Sequence, residues 1–215
     1  MDISSSILRV GDFVALKHAK PNDGWLCAEG LINEELFLTK QTDDFINCLW
    51  EIHVQYQYSA VKEYELALTS GVMAIDLEEE NLGNLDDQRE DFELSLQGGK
   101  QLFQSNRSAE GRAIERLNNL HRAAINEQRL NEKIMSLKVG KALAYGDLIQ
   151  LRHVKSKKFL TVSQFTLARQ ERENMRVMLQ SRGDSSSCLL FMPRYKYDRE
   201  GQHITSNMEV REAYY

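Results

Sequence analysis

The N-terminal part of the chain alternates short apolar runs with clusters of turn residues. Between residues 7 and 58 the runs read "ILRVGDFVALKHA", "WLCAEGL", "ELFLTK" and "FINCLWEIHVQYQY", with "KPNDG" and "KQTDD" as turn clusters. Alternating β-branched and aromatic residues are typical of half-buried strands, whereas Gly, Pro, Asn and Asp cluster in turns. This part is predicted to form four or five antiparallel strands.

From residue 59 to about residue 145 helix-forming residues dominate and proline is absent. Ser59 is a suitable N-cap for a short first helix, which Gly71 is expected to end. Ser108 is a suitable cap for a longer amphipathic helix that ends near Gly140. Apolar residues recur along this second helix at near-heptad spacing: Ile114, Leu117, Leu120, Ala124, Leu130, Ile134 and Leu137.

An acidic stretch lies between the two predicted helices. Residues 76–93 carry nine carboxylates against one cation, Arg89, which leaves eight net negative charges. A solvated acidic loop or a frayed helix accounts for such a composition. A divalent-cation site is the sharper alternative, although the glycine and ligand spacing of an EF-hand loop is missing.

After residue 147 the strand patterns return, in "DLIQLRHV", "KFLTV", "NMRVMLQ" and "CLLFMPRYKY". The order along the chain is therefore β, helical and β again. We predict a single β domain over residues 1–215, interrupted by a helical arm at about residues 59–144.

Two segments on either side of the helical part are nearly the same. The first, "GDFVALKHAK", begins at Gly11, and the second, "GDLIQLRHVK", begins at Gly146. Each reads as a strand, a turn and a second strand, which is what a fold built from pseudo-repeats contains. The fold class predicted is mainly β, a β-trefoil with an inserted helix-turn-helix arm. A third copy is hard to find beyond "EGQHITSNMEV", so the third lobe is expected to be incomplete or strongly diverged.

Composition limits the function classes. The formal charge of −5 argues against a nucleic-acid surface spread over the whole molecule, so any basic site must be local. The three cysteines, Cys27, Cys48 and Cys188, are scattered and odd in number, and reduced structural thiols are expected. A signal-peptide pattern and a membrane-length apolar run are both missing, which predicts a soluble, cytosolic polypeptide.

Catalytic and metal-binding patterns are not found in the sequence. The five histidines lack metal-ligand spacing, and His18 and His153 occupy equivalent repeat positions, which favours structural roles. Neither a phosphate-binding loop nor a nucleophile elbow occurs, so we predict no enzyme, no cofactor and no metal. The densest basic feature is one hairpin, "RHVKSKK", read either as a solvated turn or as a docking surface for an acidic partner.

One block of the sequence resembles a known family. "YGDLIQLRHVKSKKFLTV" followed by "ENMRVML", from Tyr145 to Leu179, resembles the N-terminal suppressor domain of inositol trisphosphate receptors without a gap. Ryanodine receptors share this domain. Shorter pieces agree with the same family: "VGDFVAL", the Gly30–Leu31 pair, "FINCLW", "YSAVK", "LHRAA" and "PRYK".

The resemblance implies a fold, a role and partners. It implies a β-trefoil with a helical arm at the cytosolic N-terminus of a homotetrameric calcium-release channel of the endoplasmic reticulum. Such a domain does not hold inositol trisphosphate; it packs on the ligand-binding domains of its own and neighbouring subunits, lowers their affinity and couples binding to the gate. Regulatory proteins are further expected partners, whereas nucleic acid and direct membrane insertion are not.

The resemblance also implies contact residues. Tyr195 is expected to contact the ligand-binding region of a neighbouring subunit, and Leu31, Ile32 and Lys155 are the other expected contacts. The chain departs from the family just after the Gly-Leu pair and before the "CL" of "FINCLW", where Ile46 replaces an arginine. The alternative function is a stand-alone β-trefoil module that binds carbohydrate or protein, because trefoils host many functions.

Overall fold

The structure, a computed structural model, describes residues 6–18, 24–41, 44–82, 96–168, 173–206 and 210–214. The strands in these ranges are β1 (Phe13–Val14), β2 (Trp25–Ala28), β3 (Leu36–Thr39), β4 (Trp50–Val54), β5 (Leu148–His153), β6 (Phe159–Leu167), β7 (Met175–Gln180), β8 (Leu189–Pro193) and β9 (Val210–Tyr214). The α-helices are α1 (Ser59–Leu82) and α2 (Leu96–Lys138), and short 3-10 helices span Phe45–Cys48 and Ser185–Ser187.

The strands pair antiparallel throughout the described residues. One sheet runs in the order β1, β4, β5, β6, β7, with β8 paired to β5 and β9 paired to β8. The β2 and β3 strands form a separate hairpin. Strand β4 buries Trp50, Ile52 and Val54 on one face, because successive side chains of a strand point to opposite faces, and His53 is buried on the other. The largest fully buried side chains in the described residues include Trp50, Tyr145, Ile52, Ile149, Leu151, Leu179, Leu189 and Ile204.

Three chain segments meet in a cyclic arrangement. The Leu8 N–H donates to the Ile204 carbonyl at 2.8 Å, the Ile204 N–H to Leu143 at 3.0 Å, and the Leu143 N–H to Leu8 at 2.9 Å. Leu8 and Leu143 each lie three residues before the glycine of a repeat copy, so Ile204 occupies the third equivalent position. The mainly β fold, compatible with a β-trefoil that carries a helical insertion, is thus confirmed, and the third lobe begins inside "EGQHITSNMEV".

The chain divides into two compact units. One contains Met1–Gln57 and Asn131–Tyr215, and the other contains Tyr58–Leu130. Within the first unit, Gln57 and Asn131 exchange two hydrogen bonds: Gln57 N–H donates to Asn131 Oδ1 at 3.0 Å, and Asn131 Nδ2 donates to the Gln57 carbonyl at 2.8 Å. The division into one domain with an arm at about residues 59–144 stays a prediction.

The helices are longer than predicted. Gly71 does not end α1, which continues to Leu82, and Ser108 does not cap α2, which begins at Leu96. A single interior glycine costs a helix only about 1 kcal/mol, and the good helix formers on both sides of Gly71 outweigh it. The acidic residues 76–82 belong to α1, while residues 83–93 of the predicted acidic loop lie outside the described residues.

Two of the three cysteines are covalently joined. Cys27 of β2 and Cys48 of the 3-10 helix form a disulfide, and both residues are buried. The expectation of three reduced cysteines is wrong for this pair, because the fold brings together two residues 21 positions apart. Closing a loop of this length removes conformational freedom from the unfolded chain and stabilises the fold by about 3 kcal/mol. Cys188 is a buried free thiol.

Candidate interaction surface

The turn after β2 presents two apolar side chains to solvent. Leu31 is 66% exposed and Ile32 is 95% exposed. Gly30 precedes them with a φ of +71°, and a Cβ at this position would lie 2.5 Å from Ser156 Oγ and 2.9 Å from His153 Nδ1. Only glycine allows both this backbone angle and this close approach. The turn that carries Leu31 and Ile32, called the tip below, therefore lies against the β5–β6 hairpin at Gly30.

His153 connects that hairpin to the 3-10 helix Phe45–Cys48. Its Nδ1 lies 2.9 Å from Ser156 Oγ, and its Nε2 lies 3.1 Å from the Asn47 carbonyl. Burial lowers the pKa of His153, and the hydrogen bond to Asn47 opposes that shift only in part. The buried ring with hydrogen-bond partners at both nitrogens supports the structural role expected for this repeat position, which stays a prediction.

Two of the four cations of the basic hairpin form ion pairs within their own unit. Lys155 Nζ donates to Asn47 Oδ1 at 2.8 Å and lies 3.5 Å from Asp44 Oδ2, with its side chain 29% exposed. Lys158 Nζ pairs with Glu34 Oε1 at 3.0 Å. Glu34 lies in the turn that carries Leu31 and Ile32, so the Lys158 pair joins the hairpin to that turn. Lys155 and Lys158 are therefore engaged within their own unit by carboxylates and an amide.

Tyr195 lies in a different loop, which follows β8. Its ring stacks on Tyr197 with centroids 5.2 Å apart and planes 8° apart, and the Arg194 guanidinium lies 5.7 Å from the Tyr195 centroid. Tyr195 is 40% exposed and Tyr197 is 73% exposed. A stacked pair with this much open surface can serve as an interface anchor, since aromatic rings bury a large area with few rotamers.

A polar set on β4 was not predicted from the sequence. His53 Nδ1 lies 2.8 Å from Tyr56 Oη, and His53 Nε2 lies 3.1 Å from Glu51 Oε2. Burial raises the pKa of Tyr56 to about 12. Burial also lowers the pKa of His53, against the opposing effect of Glu51. The signal was present in "WEIHV", where Glu51 and His53 alternate with core residues and therefore share one face of the strand.

Catalytic machinery does not emerge from these contacts. Within the described ranges no group of three or more His, Cys, Asp or Glu side chains could hold a metal ion. None of the helices described is long and apolar enough to cross a membrane. What the geometry offers is a pair of surfaces suited to protein contact, one at the tip of the β2–β3 hairpin and one at the Tyr195 loop. The fold of the described residues is mainly β and compatible with a β-trefoil that carries a helical insertion.

The sequence pattern of the family described as inositol 1,4,5-trisphosphate/ryanodine receptor matches residues 3–210. The inositol 1,4,5-trisphosphate receptor itr-1 of Caenorhabditis elegans is 33% identical over 94 residues, which cover 44% of this chain and 3% of that receptor. The chain belongs to the inositol trisphosphate/ryanodine receptor family and corresponds to its N-terminal domain. The family is one of channels and not of enzymes, and this chain matches only a small part of its relative's length.

Proposed function

We propose that this chain is the N-terminal regulatory (suppressor) domain of an inositol trisphosphate receptor-like calcium-release channel. In this role it lowers the ligand affinity of the binding domains that follow and couples ligand binding to the gate through contacts between domains. The observation that carries the proposal is the exposed apolar tip of Leu31 and Ile32, which follows the close approach of Gly30 to Ser156 and His153.

The charges of the same region favour a protein partner over the ligand itself. A trisphosphate demands several converging Arg and Lys side chains with free donors. At the β5–β6 hairpin, however, Lys155 is bound to Asn47 and Asp44, and Lys158 is bound to Glu34. Leu31 and Ile32 offer apolar area instead, which is what the centre of a protein interface needs.

The partners proposed are the inositol trisphosphate-binding domains of the same subunit and of a neighbouring subunit in a homotetramer. Leu31, Ile32 and Lys155 belong to one contact, and Tyr195 belongs to the contact with the neighbouring subunit. The domain acts on the cytosolic face of the endoplasmic reticulum membrane. Family membership and the exposure of these side chains support this assignment.

The test joins the chain to the ligand-binding region of its own receptor and measures inositol trisphosphate affinity by calorimetry. The chain alone is expected to bind the ligand weakly or not at all, and its presence is expected to lower the affinity of the joined protein. Coupling free energies between sites are typically about 1–3 kcal/mol, which corresponds to about 5- to 150-fold in affinity.

Leu31→Ala with Ile32→Ala should restore most of the affinity that the domain suppresses. Phe165→Ala is the matched control, because Phe165 is 96% exposed and lies in β6, outside the proposed contacts. Micromolar or tighter binding to the chain alone, or equal effects of the tip and control variants, would overturn the proposal.

A further inference from the structure

The Cys27–Cys48 disulfide lies between the two parts of the proposed contact surface. Cys27 belongs to β2, whose hairpin carries Leu31 and Ile32 at its tip. Cys48 ends the 3-10 helix whose Asn47 binds Lys155 and accepts from His153. The bond is therefore a covalent link between the tip and the segment that holds Lys155.

The hairpin is also attached to the rest of the unit by noncovalent contacts. Strands β2 and β3 form a two-stranded sheet with each other, and isolated bridges join Lys17 to Trp25 and Glu35 to Met178. Noncovalent links to the rest of the unit include the Leu179 N–H donating to the Glu34 carbonyl at 2.9 Å and the ion pair of Arg176 with Glu35 at 3.0 Å. Cys27 and Ala28 of β2 are buried, so opening the hairpin costs free energy in either redox state. Removing the covalent link should lower that cost and raise the population of open hairpin.

We propose that Cys27 and Cys48 form a reversible redox modification site whose dithiol and disulfide states set how firmly the Leu31–Ile32 tip is held. Disulfides in reducing compartments are usually transient and redox-sensing, which is the setting that the proposed function assigns to this domain. The functional consequence rests on that proposed function, whereas the chemistry of the pair does not.

The step is a thiol–disulfide exchange with a cellular thiol such as glutathione or a dithiol protein. A thiolate of the reductant attacks one cysteine sulfur and forms a mixed disulfide, and the other cysteine leaves as a thiolate and takes a proton from water. A second reductant thiolate then attacks the mixed disulfide and frees the remaining cysteine. Two electrons pass to the protein, and the reductant leaves as its own disulfide; glutathione disulfide reverses the reaction.

Burial sets the kinetics of the exchange. Cys27 is 0% exposed and Cys48 is 1% exposed, so a reductant reaches the sulfurs only after the hairpin opens. Once reduced, the hairpin opens more often because the link is gone, and opening exposes both thiols to an oxidant such as glutathione disulfide. Cys188 stays outside this chemistry, because burial raises the pKa of its thiol and keeps it protonated.

The experiment uses the full 215-residue chain in glutathione buffers of graded reduced-to-oxidised ratio. Free thiols are trapped by alkylation under denaturing conditions and counted by intact mass. Two thiols are expected to disappear together and reversibly, in the natural chain and in Cys188→Ser. In Cys27→Ser and Cys48→Ser this paired loss should be absent, and those chains should match the reduced state.

Amide hydrogen exchange then measures how often the hairpin that carries the tip opens. Exchange across residues 25–39 is expected to be about tenfold faster or more in the reduced form, with β5 unchanged. Three free thiols in every buffer, a disulfide that glutathione never reduces in the folded chain, or equal exchange in both redox states would each overturn the proposal. All readouts use the chain alone, so they do not depend on any effect on a channel.

Discussion

The carboxylate of Glu127 in α2 accepts a hydrogen bond of 2.9 Å from the hydroxyl of Ser59, the first residue of α1. The same carboxylate accepts from the N–H groups of Ala60 at 3.0 Å and Val61 at 3.2 Å. The first N–H groups of a helix lack partners within the helix, and a carboxylate also interacts favourably with the helix dipole there. The sequence predicts Ser59 alone as the cap, but a residue from the other helix completes it.

Replacing Glu127 should destabilise the helical unit. Burial acts to raise the pKa of Glu127, but the hydrogen bonds from Ala60, Val61 and Ser59 outweigh it and hold that pKa below its usual value. We expect Glu127→Gln to lower the free energy of unfolding by about 1–2 kcal/mol at neutral pH. Urea unfolding followed by far-UV circular dichroism measures this loss.

Glu115→Gln is the control for that change, because Glu115 is an exposed glutamate of the same helix. A carboxyl whose pKa is lowered by folding stabilises the protein above its unfolded pKa, and that contribution is lost as pH falls through the folded pKa. The difference between the natural chain and Glu127→Gln should therefore shrink as pH falls below about 4.3, the usual pKa of a glutamate. Equal stability of the two proteins at neutral pH would refute the capping role.

Two buried histidines should make stability depend on pH. The pKa values of His53 and His153 are both lowered, chiefly by burial. Between the folded and unfolded pKa values the unfolded chain binds more protons, so stability is full above about pH 6.5 and declines as pH falls below it. Unfolding in urea at about pH 7.5, 6.0 and 5.0 measures the decline.

Substitution of each buried histidine tests the cause of this decline. His53→Gln should reduce the dependence of unfolding free energy on pH, because glutamine does not titrate, whatever the change does to absolute stability. The charges that act on His53, those of Glu51, Arg152 and Lys157, stay in place. His153→Gln should reduce the slope as well, because burial lowers the pKa of His153. A flat profile across the same pH range in the natural chain would rule out the burial argument.

Gly30 and Gly71 should respond in opposite ways to alanine. Gly30→Ala introduces a side chain at φ +71° and 2.5 Å from Ser156 Oγ, so we expect a loss of about 2 kcal/mol in unfolding free energy. Gly71→Ala meets nothing within 4 Å inside α1 and should stabilise that helix by about 0.5–1 kcal/mol. Thermal unfolding of both variants measures these changes in stability. Two changes of the same sign would contradict the prediction.

Tyr195 should matter for coupling more than for folding. Because its ring is 40% exposed and rests on Tyr197, Tyr195→Ala should shift the melting temperature of the isolated chain only slightly. In the parent receptor the same change should weaken the link between ligand binding and calcium flux. Tyr195→Phe keeps the stacked ring and is the matched control. A large drop in melting temperature would show a core role instead, and unchanged flux with an intact fold would remove Tyr195 from the mechanism.

The parts of the fold that could be predicted from the sequence are those with a repeated or periodic pattern. The two copies that begin at Gly11 and Gly146 led to the trefoil, since each keeps the same turn: Asp12 Oδ2 accepts from the Arg9 N–H at 2.8 Å, and Asp147 Oδ2 accepts from Ala144 at 2.9 Å. The third copy lacks the Gly-Asp pair, and only the hydrogen bonds around Ile204 identify it. Local pattern cannot predict such a position, because its partners are far away in the chain.

The same limit applied to the site. Leu31, Ile32 and Lys155 are expected contact residues from the resemblance, and that role stays a prediction. The contacts around them could not be predicted, because they involve His153, Ser156 and Asn47, which come together only in the folded chain. The disulfide likewise joins two cysteines whose spacing has no recognised signature, and an odd cysteine count argued against it.

The paired hydrogen bonds between Gln57 and Asn131 have an evolutionary consequence. They join the residue at which the chain leaves the β unit to the residue at which it returns, 74 positions later. These bonds hold the two ends of the intervening segment together whatever its length or sequence. Doubling the length of a flexible closed loop costs only about 0.6 kcal/mol. Insertions and deletions between these two residues are therefore nearly neutral for the framework, and descendants of one ancestral gene are free to lengthen, shorten or recharge this segment while keeping the rest unchanged.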